Sequence, residues 1–71
     1  MNLKEIGKRL KYVRVFIMEM NQNEFAKAIG ATQTSVSKWE NGKNLIPTNI
    51  LIKVSDLSEK DTDWILGKGK F

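Results

Sequence analysis
The sequence predicts an all-α domain of five short helices built around a central helix-turn-helix, and three observations carry that prediction. Apolar residues recur by threes and fours along the first seventeen positions and again from Gln22 to Asn41. The second of these stretches, QNEFAKAIGATQTSVSKWEN, is divided by Gly30 into two halves of about two turns each. Residues able to cap helices (Asn2, Asn21, Thr32 and Asp61) stand just before periodic segments, and Pro47 stands before another.

The first helix is expected from Asn2 to about Phe16. Leu3, Ile6, Leu10, Val13 and Ile17 form one apolar stripe. Asn2 is the N-cap, and Glu5 is placed for the return arm of a capping box. Lys4, Lys8, Arg9 and Lys11 fall on the wetter side. Lys8 and Lys11 could reach a nucleic-acid backbone, although a solvated helix face accounts for them more simply. Gly7 weakens the helix by about 1 kcal/mol relative to alanine, a cost that close packing would explain.

Asn21 caps the second helix, with Glu24 three residues on to complete a capping box. Phe25, Ala26 and Ile29 are its apolar side, and Gly30 ends it in the left-handed region. Thr32 caps the third helix, whose apolar pair is Val36 and Trp39. On the opposite side, Gln33, Ser37, Asn41, Thr34 and Lys38 share an arc of roughly 140° at about 100° per residue. Thr32 and Ser35 lie outside that arc. A polar surface accounts for any one of these residues. As a set they are amide, hydroxyl and ammonium groups suited to base edges: glutamine to adenine, hydroxyls to either partner, lysine to guanine or phosphate. The only acid in this helix is Glu40, near its end.

The loop Lys43 to Pro47 follows, with Leu45 and Ile46 expected to cover the core. A fourth helix is expected from about Thr48 to Asp56, its apolar face made by Ile50, Leu51, Val54 and Leu57. Asp61 caps a last helix with Trp64, Ile65 and Leu66, which Gly67 ends. Residues 1–67 thus form one domain, and 68–71 a short basic tail. The tail lacks the spacing of a phosphate-binding loop.

The chain has 71 residues, a net charge of +4, and neither histidine nor cysteine. Disulfides, thiolate metal sites and the usual general base are therefore absent. Neither a catalytic residue, a metal site nor a cofactor is expected. Grouped Asp56, Glu59, Asp61 and Asp63 are explained by capping and solvation. There is no apolar run long enough to span a bilayer and no signal-peptide pattern, so a cytoplasmic protein is expected. Residues 1–43 hold eight of the twelve Lys and Arg against four acids, whereas 44–71 balance four against four. The excess positive charge thus lies in the half that carries the helix-turn-helix.

Gln22, Ala26, Gly30, Val36 and the run Trp39-Glu40-Asn41-Gly42 together resemble the helix-turn-helix of the lambdoid phage repressor and Cro superfamily (XRE type). The resemblance extends from Leu3 to Gly67. It implies the compact five-helix fold of the lambda repressor DNA-binding domain. It further implies that Gln22 bonds a phosphate and braces a base-reading Gln33, and that Arg14 pairs with Glu40 to tie the third helix to the scaffold. Gln33, Thr34, Lys38 and, secondarily, Ser37 would read bases. Gln22, Thr32, Ser35, Asn41, Lys43 and Asn44 would touch the backbone. Arg14, Ala26, Gly30, Val36, Trp39 and Glu40 would be structural. One departure is an extra residue between Arg14 and Gln22, which a lengthened turn within residues 15–20 must absorb.

The resulting expectation is a sequence-specific duplex-DNA regulator, a small Cro-like or phage-type repressor without a separate ligand-sensing domain. It would bind a palindromic operator as a homodimer, with no small-molecule ligand. An antitoxin or restriction-modification controller of the same fold, acting partly through a protein partner, is the alternative. A neighbouring toxin or methyltransferase gene would separate the two.

Overall fold
The computed structural model describes residues 2–68, and Gly69, Lys70 and Phe71 of the basic tail lie outside them. Five α-helices run in the order α1 (Leu3–Tyr12), α2 (Gln22–Ile29), α3 (Gln33–Glu40), α4 (Thr48–Ser58) and α5 (Thr62–Ile65). A π-helical turn, Val13–Ile17, extends α1. Among the described residues no helix is long and apolar enough to cross a membrane.

Four of the helices start where a side chain replaces the missing backbone acceptor. Asn2 Oδ1 accepts from the Glu5 amide at 3.1 Å. The expected return arm is not made, because the Glu5 carboxylate turns to Arg9 Nε at 3.4 Å. Asn21 and Glu24 complete a full capping box at 2.8 and 2.9 Å. Thr32 Oγ1 accepts from the Ser35 amide, and Asp61 Oδ1 from that of Trp64. Gly30 ends α2 at φ 73°, and the Ala31 amide reaches back to the Ala26 carbonyl at 2.8 Å.

One core serves all five helices. Ile6, Leu10 and Val13 of the first segment meet Phe25, Ala26 and Ile29 of α2 and Val36 and Trp39 of α3. Ile46, Leu51, Val54, Trp64 and Ile65 close it from the C-terminal side. Phe25, Leu10, Val13, Val36, Val54 and Ile65 are fully buried. The two-helix unit, too short to be stable alone, thereby gains an apolar bed.

Five further expectations are corrected. The first helix does not stay α-helical to Phe16: the π turn begins at Val13, with the Met18 amide bonded to the Val13 carbonyl at 2.8 Å. A π turn holds one more residue than an α turn, and it takes up part of the longer connection. The remainder is a wide turn closed by the Met20 amide on the Arg14 carbonyl at 3.0 Å, with Glu19 at φ 54°. Arg9 does not lie on the wet side. It is buried, its Nη1 donates to the Trp64 carbonyl at 2.8 Å, and its guanidinium lies 5.1 Å from the centre of the Trp64 ring. That carbonyl also accepts the Gly67 amide at 3.1 Å, and Arg9 is its second donor.

The fourth helix runs two residues beyond Asp56: Glu59 ends it in the left-handed region with its amide on the Ser55 carbonyl at 2.9 Å, and the buried Ser58 hydroxyl donates to the Val54 carbonyl at 2.7 Å. Leu57 is 45% exposed, since Leu51, Val54 and Ser58 hold the inward arc. Leu45 is 50% exposed whereas Ile46 is buried, neighbours in the loop turning opposite ways.

Candidate nucleic-acid interface
The third helix is seated on α1 through Gly7. A Cβ at that position would lie 2.5 Å from the Glu40 carbonyl oxygen and 2.6 Å from that of Trp39. The missing methyl therefore lets the backbone of α1 touch the C-terminal end of α3. Val36 and Trp39 fix the rotation of α3 from its inner side, both being buried. That rotation leaves Gln33, Thr34 and Lys38 exposed together, with Ser37 half-buried beside them and Asn41 exposed at the end.

Gln33 does not hang free. Its Nε2 donates to Gln22 Oε1 at 2.7 Å, and Gln22 Nε2 in turn donates to Glu40 Oε1 at 3.0 Å. Glu40 is gripped by Arg14 in a two-pronged fork, Nε to Oε2 at 2.6 Å and Nη2 to Oε1 at 3.1 Å. The remaining Arg14 nitrogen, Nη1, donates to the Met20 carbonyl at 3.0 Å. A continuous chain of hydrogen bonds thus joins the first helical segment, α2 and both ends of α3. The Arg14 and Glu40 side chains are 10% and 4% exposed, so solvent screens this pair little.

The chain has two consequences at the surface. The single acid of α3 is turned inward and neutralised, leaving the outer arc with amides, hydroxyls and Lys38. It also fixes which way the Gln33 amide faces. One N–H is held by Gln22, and the second N–H and Oε1 remain as an adjacent donor and acceptor. That pair matches the N7 acceptor and N6 amino donor of adenine in the major groove.

The flanking residues surround this patch. The N-terminus of α2 puts the Gln22 and Asn23 amides at its edge, where the helix dipole favours an anion. Thr32 is exposed and occupied locally, its hydroxyl donating to Ser35 Oγ at 3.0 Å while Ser35 is half-buried. Asn41 Nδ2 caps α3 by donating to the Ser37 carbonyl at 2.9 Å, with Ser37 Oγ at 3.3 Å. Lys43 and Asn44 are exposed in the loop beyond Gly42, which turns at φ 72°. Of the expected structural residues, Ala26 is buried beneath the turn and Gly30 holds its left-handed bend.

Sequence reasoning did not find the bond from Gln22 to Glu40 or the Met20 carbonyl as a partner of Arg14. The former joins residues 18 apart whose side chains meet only once α2 and α3 cross. The latter depends on the wide turn after the π segment. No group of three or more His, Cys, Asp or Glu among the described residues could hold a metal ion.

Comparison with known proteins agrees with this geometry. No curated protein matches the chain. A family model described as helix-turn-helix matches residues 10–65, from the later part of α1 to the end of α5. A buried glycine-turned helix pair, a polar outer arc and this match lead to one conclusion: the chain belongs to the helix-turn-helix family of the Cro/C1, XRE-like type, a family of DNA-binding transcription regulators.

Proposed function
We propose that this chain is a sequence-specific repressor of the small Cro or phage type, acting in the cytoplasm on a palindromic operator as a homodimer. The observation that carries the reading is the bond from Gln33 to Gln22, which pre-orients an outward amide at the start of α3. In this reading α3 enters the major groove with its N-terminal residues toward the base edges. Gln33 pairs with adenine, Thr34 and Lys38 read neighbouring bases, and Ser37 assists. Gln22, Thr32, Ser35, Asn41, Lys43 and Asn44 hold phosphates and set the register. Arg14, Ala26, Gly30, Val36, Trp39 and Glu40 keep the helix pair in place. One copy offers few contacts, so useful affinity calls for two copies on half-sites about one helical turn apart.

Selection of bound duplexes from a random pool, followed by titration at several salt concentrations, tests the reading. Gln33→Ala is expected to weaken the selected duplex roughly ten- to a hundredfold and to leave non-specific binding nearly unchanged. Lys43→Ala is expected to weaken both and to lower the salt slope by about one. Equal losses for Gln33→Ala on every duplex would remove it from base recognition.

A further inference from the structure
The outer face of α4 has no role in anything described so far. Its inner side is taken by Leu51, Val54 and Ser58, while Ile52 and Leu57 stand 50% and 45% exposed. Asn49, Lys53 and Asp56 share that outer face and are exposed as well. Neither Lys53 nor Asp56 has an ion pair among the described residues.

We propose that this face packs on the same face of a second copy, α4 antiparallel to α4, with Lys53 opposite Asp56 and with Ile52 and Leu57 at the two edges of the contact. A two-fold contact requires that each residue of a pair meet the other in both directions. The Lys53–Asp56 pair is centred between Val54 and Ser55, so a single axis there generates two ion pairs, while Ile52 and Leu57, about 140° apart around the helix, flank them on opposite edges. A parallel pairing would instead set Lys53 against Lys53 and Asp56 against Asp56. The pattern is therefore self-complementary in one orientation only.

The face lies on the chain directly after the exposed end of α3, reached through the loop that carries Leu45, itself 50% exposed. One face of an 11-residue helix is well short of the roughly 800 Å² per partner that a stable interface buries. The contact is accordingly weak in free solution and forms when neighbouring half-sites hold two copies at high effective concentration. This proposal rests on the two-copy reading above and names its surface.

The test uses duplexes recovered by selection from a random pool, carrying one or two half-sites, and measures cooperativity by titration. Lys53 and Asp56 are both exposed, so their variants keep the fold. Lys53→Asp and Asp56→Lys are each expected to lower cooperativity roughly tenfold while single-half-site binding stays within about twofold. In an equal mixture of the two variants, a helix carrying two acids meets a helix carrying two lysines, and cooperativity is expected to return. The double variant K53D/D56K, which exchanges the two charges, is expected to do the same alone. Paired half-sites whose cooperativity ignores either reversal, or is not restored in the mixture, would overturn the α4 register. A pool of solitary half-sites would overturn the two-copy reading itself.

Discussion

Glu40 accepts three hydrogen bonds, two from Arg14 and one from Gln22, while 4% of its side chain is exposed. Removing it would strand the Arg14 guanidinium in the interior with only the Met20 carbonyl as partner. Glu40→Ala is therefore expected to cost roughly 3–5 kcal/mol in urea unfolding followed by tryptophan fluorescence. Replacing both partners by apolar residues of similar size is expected to cost less than the sum of the single losses, because no bare charge remains. At this scale the sequence was readable where residue type limits the options. Asn21, Gly30 and Thr32 do what their chemistry allows. Arg9 was misread by its charge: at about 100° per residue it falls beside Val13 and Ile6 and about 100° or more from Lys4, Lys8 and Lys11, a position bordering the apolar stripe, where the Trp64 carbonyl accepts from it.

Between elements, Gly7 decides how closely α1 and α3 approach. A methyl there would press on the Trp39 and Glu40 carbonyls, which are backbone and cannot turn aside. Gly7→Ala is expected to lose up to roughly 2 kcal/mol of stability, an overpacking penalty of about 1–3 kcal/mol less a helix-propensity gain of about 1 kcal/mol. Thermal unfolding would check the first effect, and duplex titration the accompanying tilt of α3. Glu19 and Glu59 both occupy left-handed backbone, at φ 54° and 60°. Glycine at either position is expected to add up to about 1 kcal/mol, roughly 1–2 kcal/mol of relieved left-handed strain less the extra chain entropy glycine loses on folding, read from urea midpoints. Helix existence was legible throughout, because apolar period and caps are local signals. The end of α4 was not, since it is set by Glu59 turning left-handed at φ 60°, where no glycine marks the stop. Leu57 and Leu45 misled for a related reason: apolarity marks what can be buried, and packing decides what is.

For the molecule as a whole, charge and shape act together. The excess cations lie in the half that holds the helix-turn-helix, and the acid nearest the outer arc of α3 is internally neutralised. Duplex affinity is accordingly expected to fall steeply and linearly on a log–log plot against salt, with single lysine removals changing the slope in unit steps. A salt-independent affinity would contradict phosphate neutralisation as its main source. The family match and the outward arc were both foreshadowed by the run from Gln22 to Asn41, where turn glycine, buried valine and tryptophan, and polar arc fall at fixed offsets. The surface available to a second copy was not, because it depends on which apolar side chains packing leaves over.

The surplus residue after Arg14 is taken up by widening the coil at Val13–Ile17 and looping out the few positions behind it. Such a device behaves as an expansion joint: length can change there while the parts bolted to either end keep their alignment. Phe16 lies in the π turn and is 72% exposed, its ring against Tyr12 with centroids 5.3 Å apart. A chain lacking Phe16 is expected to close the π turn into ordinary α-helix, keep the wide turn and the Arg14–Glu40 grip, and hold its selected duplex within about threefold. The stretch between α1 and α2 is therefore where the fold can gain or shed a residue while α2 and α3 keep their seat on α1.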